Sequence, residues 1–177
     1  NNPSNKIDFL NLKAEEINFE KKFDYVFSLG VIHHIPDHQI ACQKIYNSLK
    51  KKGKFIGWVY GSEGNELYLL IFNNLRRITI ALPDNVLRII CHFLNLSCYL
   101  YIFLCKIMPL PMRNYMLRIF NKCSYKKRNL MIFDQLNPSY AKYFKKEELE
   151  NILKQSGFKK FELIHRHKYS WTIIAEK

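Results

Sequence analysis

Glycine is scarce in this 177-residue chain: Gly30, Gly53, Gly57, Gly61, Gly64 and Gly157 are all there are, and no two of them form a Gly-x-Gly run. Cysteine is present but unorganised. Cys42, Cys91, Cys98, Cys105 and Cys123 make an odd count without a Cys-x-x-Cys pair, which argues against a disulfide framework and a zinc knuckle. The free thiols point to a reducing, intracellular compartment. Acidic residues are few, 15 against 28 basic ones, and residues 85–133 contain none. The chain opens on Asn1-Asn2-Pro3, with neither a Met nor a charged-then-apolar leader, so it reads as a fragment of something longer. No internal repeat or low-complexity tract appears.

What remains is globular. Hydrophobic residues make up 48% of the chain and aromatic ones 15%, enough for one domain with a core. The net charge of +13 admits a nucleic-acid or anionic-membrane partner, and it also follows from a general abundance of Lys.

Residues 7–12 alternate enough to suggest a strand, and residues 23–29 suggest a buried one, as in a parallel sheet. Pro36 and Asp37 suit the first turn of a helix, and Ile40, Ala41, Ile45, Tyr46 and Leu49 form its apolar stripe. Lys50, Lys51 and Lys52 are expected at its C-terminal end, with Gly53 as the residue that closes it. Residues 54–60 read as a second strand, and the helix between the two makes a right-handed parallel crossover. From Glu66 to about Asn129 the texture turns helical, apolar and basic, divided by Pro83 and by Pro109 and Pro111 into three helices. The heptad spacing of Cys91, Cys98 and Cys105 puts them on one helix face as small core residues. Residues 146–156 form a final helix ahead of Gly157. Residues 158–165 and 169–176 form an antiparallel hairpin turned at Arg166-His167-Lys168.

The stretch FDYVFSLGVIHHIPDHQIACQKIYNSLKKKGKFIGWVY, residues 23–60, resembles the second half of a class I S-adenosylmethionine-dependent methyltransferase domain. The strand Phe23-Asp24-Tyr25-Val26, the turn through His33-His34-Ile35-Pro36-Asp37 and the helix ending Leu49-Lys50-Lys51-Lys52-Gly53 carry the likeness. The segment Phe133-Asp134-Gln135-Leu136-Asn137-Pro138-Ser139-Tyr140-Ala141, then Glu147-Glu148-Leu149 and Ser156-Gly157-Phe158, extend it to the C-terminal part. The resemblance implies an α/β fold. It would be a partial Rossmann-like methyltransferase sheet lacking its first two strands, with a helical insertion and a C-terminal antiparallel hairpin. One domain would cover 1–177, with residues 1–62 as partial core, 63–130 as insertion, and 131–177 as the helix and hairpin completing the sheet.

The resemblance also implies S-adenosyl-L-methionine as cofactor, with Ala14 and Glu15 beside its adenine and Ser28, Leu29, Gly30, Val31 and His34 beside its methionine part. Ligands of open α/β sheets lie beyond the carboxyl ends of the strands, and Gly30 lets backbone approach closely. Two departures stand out. Lys13 occupies the place of an Asp that accepts from the adenine in many relatives, and Lys cannot accept. The acidic-Gly-x-Gly-x-Gly loop and the acidic residue that holds the ribose are absent. The expectation is that these 177 residues alone bind S-adenosylmethionine weakly or not at all.

His33 and His34 are the catalytic candidates, as a base or as substrate-orienting groups, since imidazole titrates near neutrality; either could equally be a packing residue. Tyr60, Tyr140, His165 and Trp171 are substrate-contact candidates. His34 and His38 stand four apart, but Pro36 between them argues against a metal site, and none is expected. The acceptor would be a small or lipid-linked molecule. A truncated, inactive interaction module is the alternative, and nucleic acid is not expected as a partner. Residues 85–133 either cover the substrate pocket or touch an anionic membrane, placing the protein in the cytoplasm or at the membrane's inner face.

Overall fold

The computed structural model describes residues 7–137 and 140–177. Its elements in chain order are β1 (Phe23–Leu29), α1 (His38–Ser48), β2 (Leu49–Tyr60), α2 (Glu66–Thr79), α3 (Asp84–Ile107), α4 (Arg113–Arg118), α5 (Tyr125–Leu136), α6 (Lys146–Gln155), β3 (Lys160–Arg166) and β4 (Ser170–Glu176). They divide into two compact units, one of Asn1–Glu66 with Tyr140–Lys177 and the other of Leu67–Ser139.

The first unit is α/β. Its four strands run in the order β1-β2-β4-β3. β1 and β2 are parallel, with Ser28 opposite Gly57 and Leu29 opposite Trp58. β4 is antiparallel to both β2 and β3. A parallel pair needs a crossover, and α1 supplies it, burying Ala41, Cys42 and Ile45. Along β2 the side chains alternate: Phe55, Gly57 and Val59 are buried, while Ile56, Trp58 and Tyr60 are only partly covered. The buried set meets Ile45 of α1, Leu149, Ile152 and Leu153 of α6, and Ile173 and Ala175 of β4 in one core. Gly57 is required there, because a Cβ would sit 2.8 Å from the Phe55 ring. The hairpin turn takes positive φ at both His167 (53°) and Lys168 (61°). Three residues, 167–169, join the strands, and the Tyr169 N–H closes the turn on the Arg166 carbonyl at 3.2 Å.

Two local expectations fail. The helix α1 stops at Ser48, and β2 begins at Leu49, so Lys50, Lys51 and Lys52 are strand residues. The helical propensity of Lys is outweighed by anchors on both sides: Leu49 pairs with Phe23, Lys54 with Tyr25, and between them the Lys52 N–H donates to the Lys177 carbonyl at 2.9 Å. Asp24 fixes the same region by pairing with Lys50 at 2.8 Å. Residues 7–12 form no strand; Phe9 is 92% exposed. A strand is made by its partners, and β1 stands at the sheet edge with no other strand beside it among the described residues.

The second unit is helical. It holds four helices among the described residues rather than three, since the chain restarts at Arg113 after Met112 takes a left-handed φ of 56°. α5 runs past residue 130 and belongs wholly to this unit. Leu87, Cys91 and Leu136 form one buried cluster, with Phe72 and Leu75 against it. Ile102, Cys105, Met116 and Phe120 form another. Cys91 and Cys105 are fully buried and Cys98 is half-buried, the core-facing stripe that their spacing suggests. Carbonyls at the end of α5 are satisfied from α2: Arg76 Nε donates to Gln135 O at 2.7 Å and Thr79 Oγ1 to Leu136 O at 2.7 Å. Pro138 and Ser139, within the C-terminal resemblance, lie outside the described residues.

Candidate functional site

The parallel register of β1 and β2 brings their carboxyl ends to one edge. Past Leu29 the chain turns through Gly30, whose φ of +78° is in the left-handed region. Its N–H donates to the Trp58 carbonyl at 3.0 Å, which ties the turn to β2. The next residues, Ile32–His34, form one tight helical turn. Ile32 enters the core, and His33 and His34 take different environments.

His33 is 1% exposed. Its ring stacks on Tyr60 with centroids 3.9 Å apart, meets Trp58 edge-on at 5.9 Å and lies 4.3 Å from the ring of His34. Burial, and secondarily the neighbouring His34, pull its pKa down to about 3. His33 is therefore neutral across the physiological range, which suits a packed wall better than a proton carrier. Its carbonyl accepts from the Lys142 N–H at 2.9 Å, joining the turn to the segment after Tyr140.

His34 is exposed, and its Nδ1 lies 2.9 Å from the Tyr140 carbonyl. A carbonyl can only accept, so Nδ1 carries the hydrogen and Nε2 of the neutral ring keeps its lone pair. A neutral imidazole whose one nitrogen is engaged by a backbone carbonyl keeps the other as an acceptor. Tyr60 continues the stack to Tyr143, at 5.0 Å and 16° between planes.

The substrate-contact candidates do not converge. Tyr60 and the Tyr140 backbone lie beside the two histidines, whereas Trp171 and His165 belong to the opposite face of the sheet. Trp171 pairs with Val59 and shares its face, where it is 5% exposed in the core. Its indole N–H donates to Glu63 Oε2 at 3.3 Å, and His165 stacks on it at 4.3 Å. Trp171 is packed into that face and His165 stands exposed over it, a consequence of strand alternation. Ala14 and Glu15 sit on a separate helical turn, Ala14–Glu16, where Lys13 N–H donates to Glu16 Oε2 at 3.1 Å. Ser28 is half-buried, and Leu29 and Val31 are exposed at the edge.

Trp58, not among the candidates read from the sequence, stands beside His33. Its indole N–H donates to Ser170 Oγ at 3.1 Å, and its ring lies 3.8 Å from where a Cβ on Gly30 would stand. The signal for it was the period-2 alternation that puts Trp58 on the Tyr60 face. Among the described residues, no three His, Cys, Asp or Glu side chains gather in a way that could hold a metal.

The methyltransferase domain family matches residues 1–57. A malonyl-[acyl-carrier protein] O-methyltransferase of Calditerrivibrio nitroreducens is 39% identical over 56 residues, 32% of this chain and 23% of that protein. A tRNA U34 carboxymethyltransferase of Alteromonas mediterranea is 33% identical over 69 residues, 39% of this chain and 21% of that protein. The matches thus span less than a quarter of the length of either relative. A solved S-adenosylmethionine-dependent methyltransferase from Methanosarcina mazei superposes with a TM-score of 0.49 at 12% identity, over 94% of this chain and 65% of that one. Residues 1–57, about a third of the chain, are similar to part of a methyltransferase domain.

Proposed function

We propose that the protein takes part in methyl transfer from S-adenosylmethionine to a small-molecule or lipid-linked acceptor, at the carboxyl edge of β1 and β2. The observation that carries this reading is the pair of features at one edge: a left-handed Gly30 turn and, four residues on, His34 held in one tautomer by the Tyr140 carbonyl. The cofactor, when bound, supplies a methyl group on a positively charged sulfur.

The residues present fit one side of such a group. A Cβ at Gly30 would meet only the Trp58 ring, at 3.8 Å, so the turn leaves backbone open to close approach. Ser28, Leu29, Gly30 and Val31 would border the methionine part, and Ala14 and Glu15 the adenine. The six glycines provide no Gly-x-Gly loop for the remaining side, so binding by these residues alone should be weak. His34 Nε2 would take the proton of an acceptor hydroxyl as that oxygen gains the methyl group. His33, neutral and stacked on Tyr60, would hold the turn without competing for that proton.

The test is an amide-resolved NMR titration of the 177-residue chain with S-adenosylhomocysteine up to millimolar concentration. The expected result is gradual shifts confined to residues 14–15 and 28–34. Unmoved amides there, as for a non-catalytic interaction module, would refute the reading, as would shifts centred elsewhere.

A further inference from the structure

The helical unit carries an apolar surface that nothing in that unit covers. On α3, Leu87, Cys91, Asn95, Ile102 and Cys105 are buried against the rest of the unit. Half a turn away, Val86, Ile89, Phe93, Leu96, Leu100 and Phe103 recur at three- and four-residue intervals, and Ile107 ends the row. Every one of these seven is between 42% and 67% exposed. Two stripes at helical spacing on opposite faces mean a helix apolar on both sides, one side without a partner. Burying such a row is worth roughly 25 cal/mol for each Å² removed from water, so leaving it wet is costly.

The charge around the stripe selects what covers it. Arg88, His92, Tyr99 and Lys106 fall along one flank of α3, about a quarter turn from the centre of the apolar row at 100° per residue. Residues 85–133 add Arg113, Arg118, Lys122, Lys126 and Lys127 and have no Asp or Glu. Two copies meeting along this row would bring cations together without opposing carboxylates, whereas paired helices rely on opposite charges at their flanks.

α3 has the length and mean hydropathy (1.6) of a membrane-crossing helix. Its other face is nonetheless committed to α2, α4 and α5, and crossing would draw the lysines of that packed unit toward hydrocarbon. Asn95, wholly buried, donates to the Tyr125 carbonyl at 3.0 Å, which ties α3 to the basic start of α5. A helix lying in the interface satisfies both faces: apolar row among the acyl chains, cationic flank at the head groups.

We infer that α3 docks the protein in the plane of an anionic lipid surface through the row from Val86 to Ile107. This does not depend on the methyl-transfer reading, because it uses none of the residues of that edge.

The experiment is co-sedimentation of the full 177-residue chain with vesicles of phosphatidylcholine alone and of phosphatidylcholine with phosphatidylserine. The chain should pellet with the anionic vesicles and be released as salt is raised. Phe93→Glu with Leu100→Glu should weaken that partitioning about tenfold or more while the circular dichroism stays helical, since both positions are exposed. Lys106→Gln should weaken it about fivefold. Any one of four results would overturn the inference: no pelleting, equal pelleting with neutral vesicles, unchanged pelleting of the double variant, or a dimer in sedimentation that the double variant dissolves. The last would assign the row to a second copy.

Discussion

His33 offers the sharpest quantitative test of the site. Folding keeps it neutral down to about pH 3, whereas an unfolded histidine takes a proton near 6.5. Between those values the unfolded chain binds the extra proton. His33 therefore costs nothing above pH 6.5 and erodes stability as the pH falls toward 3. The slope approaches about 1.4 kcal/mol per pH unit, so a drop from about pH 7 to about pH 5 should remove about 2 kcal/mol through this side chain. The variant His33→Phe keeps a ring against Tyr60 and removes the titration. The assay is urea unfolding followed by tryptophan fluorescence at both pH values. Trp58 and Trp171 both lie in the α/β unit, so the signal reports that unit and not the helical one. The expected outcome is a wild-type loss of stability larger than the variant's by about 2 kcal/mol, whatever the variant's absolute stability. Equal losses would mean that His33 is protonated in the folded state, and the neutral wall beside Tyr60 would have to be abandoned.

Gly30→Ala should cost about 1–2 kcal/mol in urea unfolding, from its left-handed backbone alone, since the added Cβ meets no close atom. A loss well above that would point to a clash with Trp58. Cys42, whose thiol is pushed up to about 12 by burial, should resist alkylation in the native chain together with the fully buried Cys91 and Cys105. Half-buried Cys98 and Cys123 should be modified first, as peptide mass mapping would resolve. Ser124→Ala removes the side chain that accepts from the Lys127 N–H at 3.3 Å at the start of α5. It should cost about 1 kcal/mol in thermal unfolding of the helical unit.

Much of the α/β unit was legible because its signals are local. Phe23–Leu29 reads as a strand from its aromatic and β-branched run, and α6 from Leu149, Ile152 and Leu153 on one stripe. The failures share a cause. Lys50–Lys52 and residues 7–12 have backbone states decided by the strand pairing around them, present at Leu49 and Lys54 and absent at 7–12, which neighbouring residues do not encode. For Trp171 and His165 the sequence leaves core and rim equally open. Their pairing with Val59 fixes the face, and that register is a property of the hairpin and β2 together. Of the two histidines, composition could not say which is buried. The turn Ile32–His34 decides it by sending one ring onto Tyr60 and the other to the Tyr140 carbonyl.

The outer edge of β1 bears on how the protein behaves in a test tube. From Val26 to Leu29 that strand offers backbone donors and acceptors, flanked by exposed Phe27 and Leu29, to any other chain that meets it. At its start the exposed Asp24 carboxylate, paired with Lys50, sets charge beside that edge. Elsewhere the chief restraint is mutual repulsion from a net charge of +13. Colloidal stability should then decline as added electrolyte shortens the range of that repulsion, and dilute, low-salt buffer is the condition in which the chain stays dispersed.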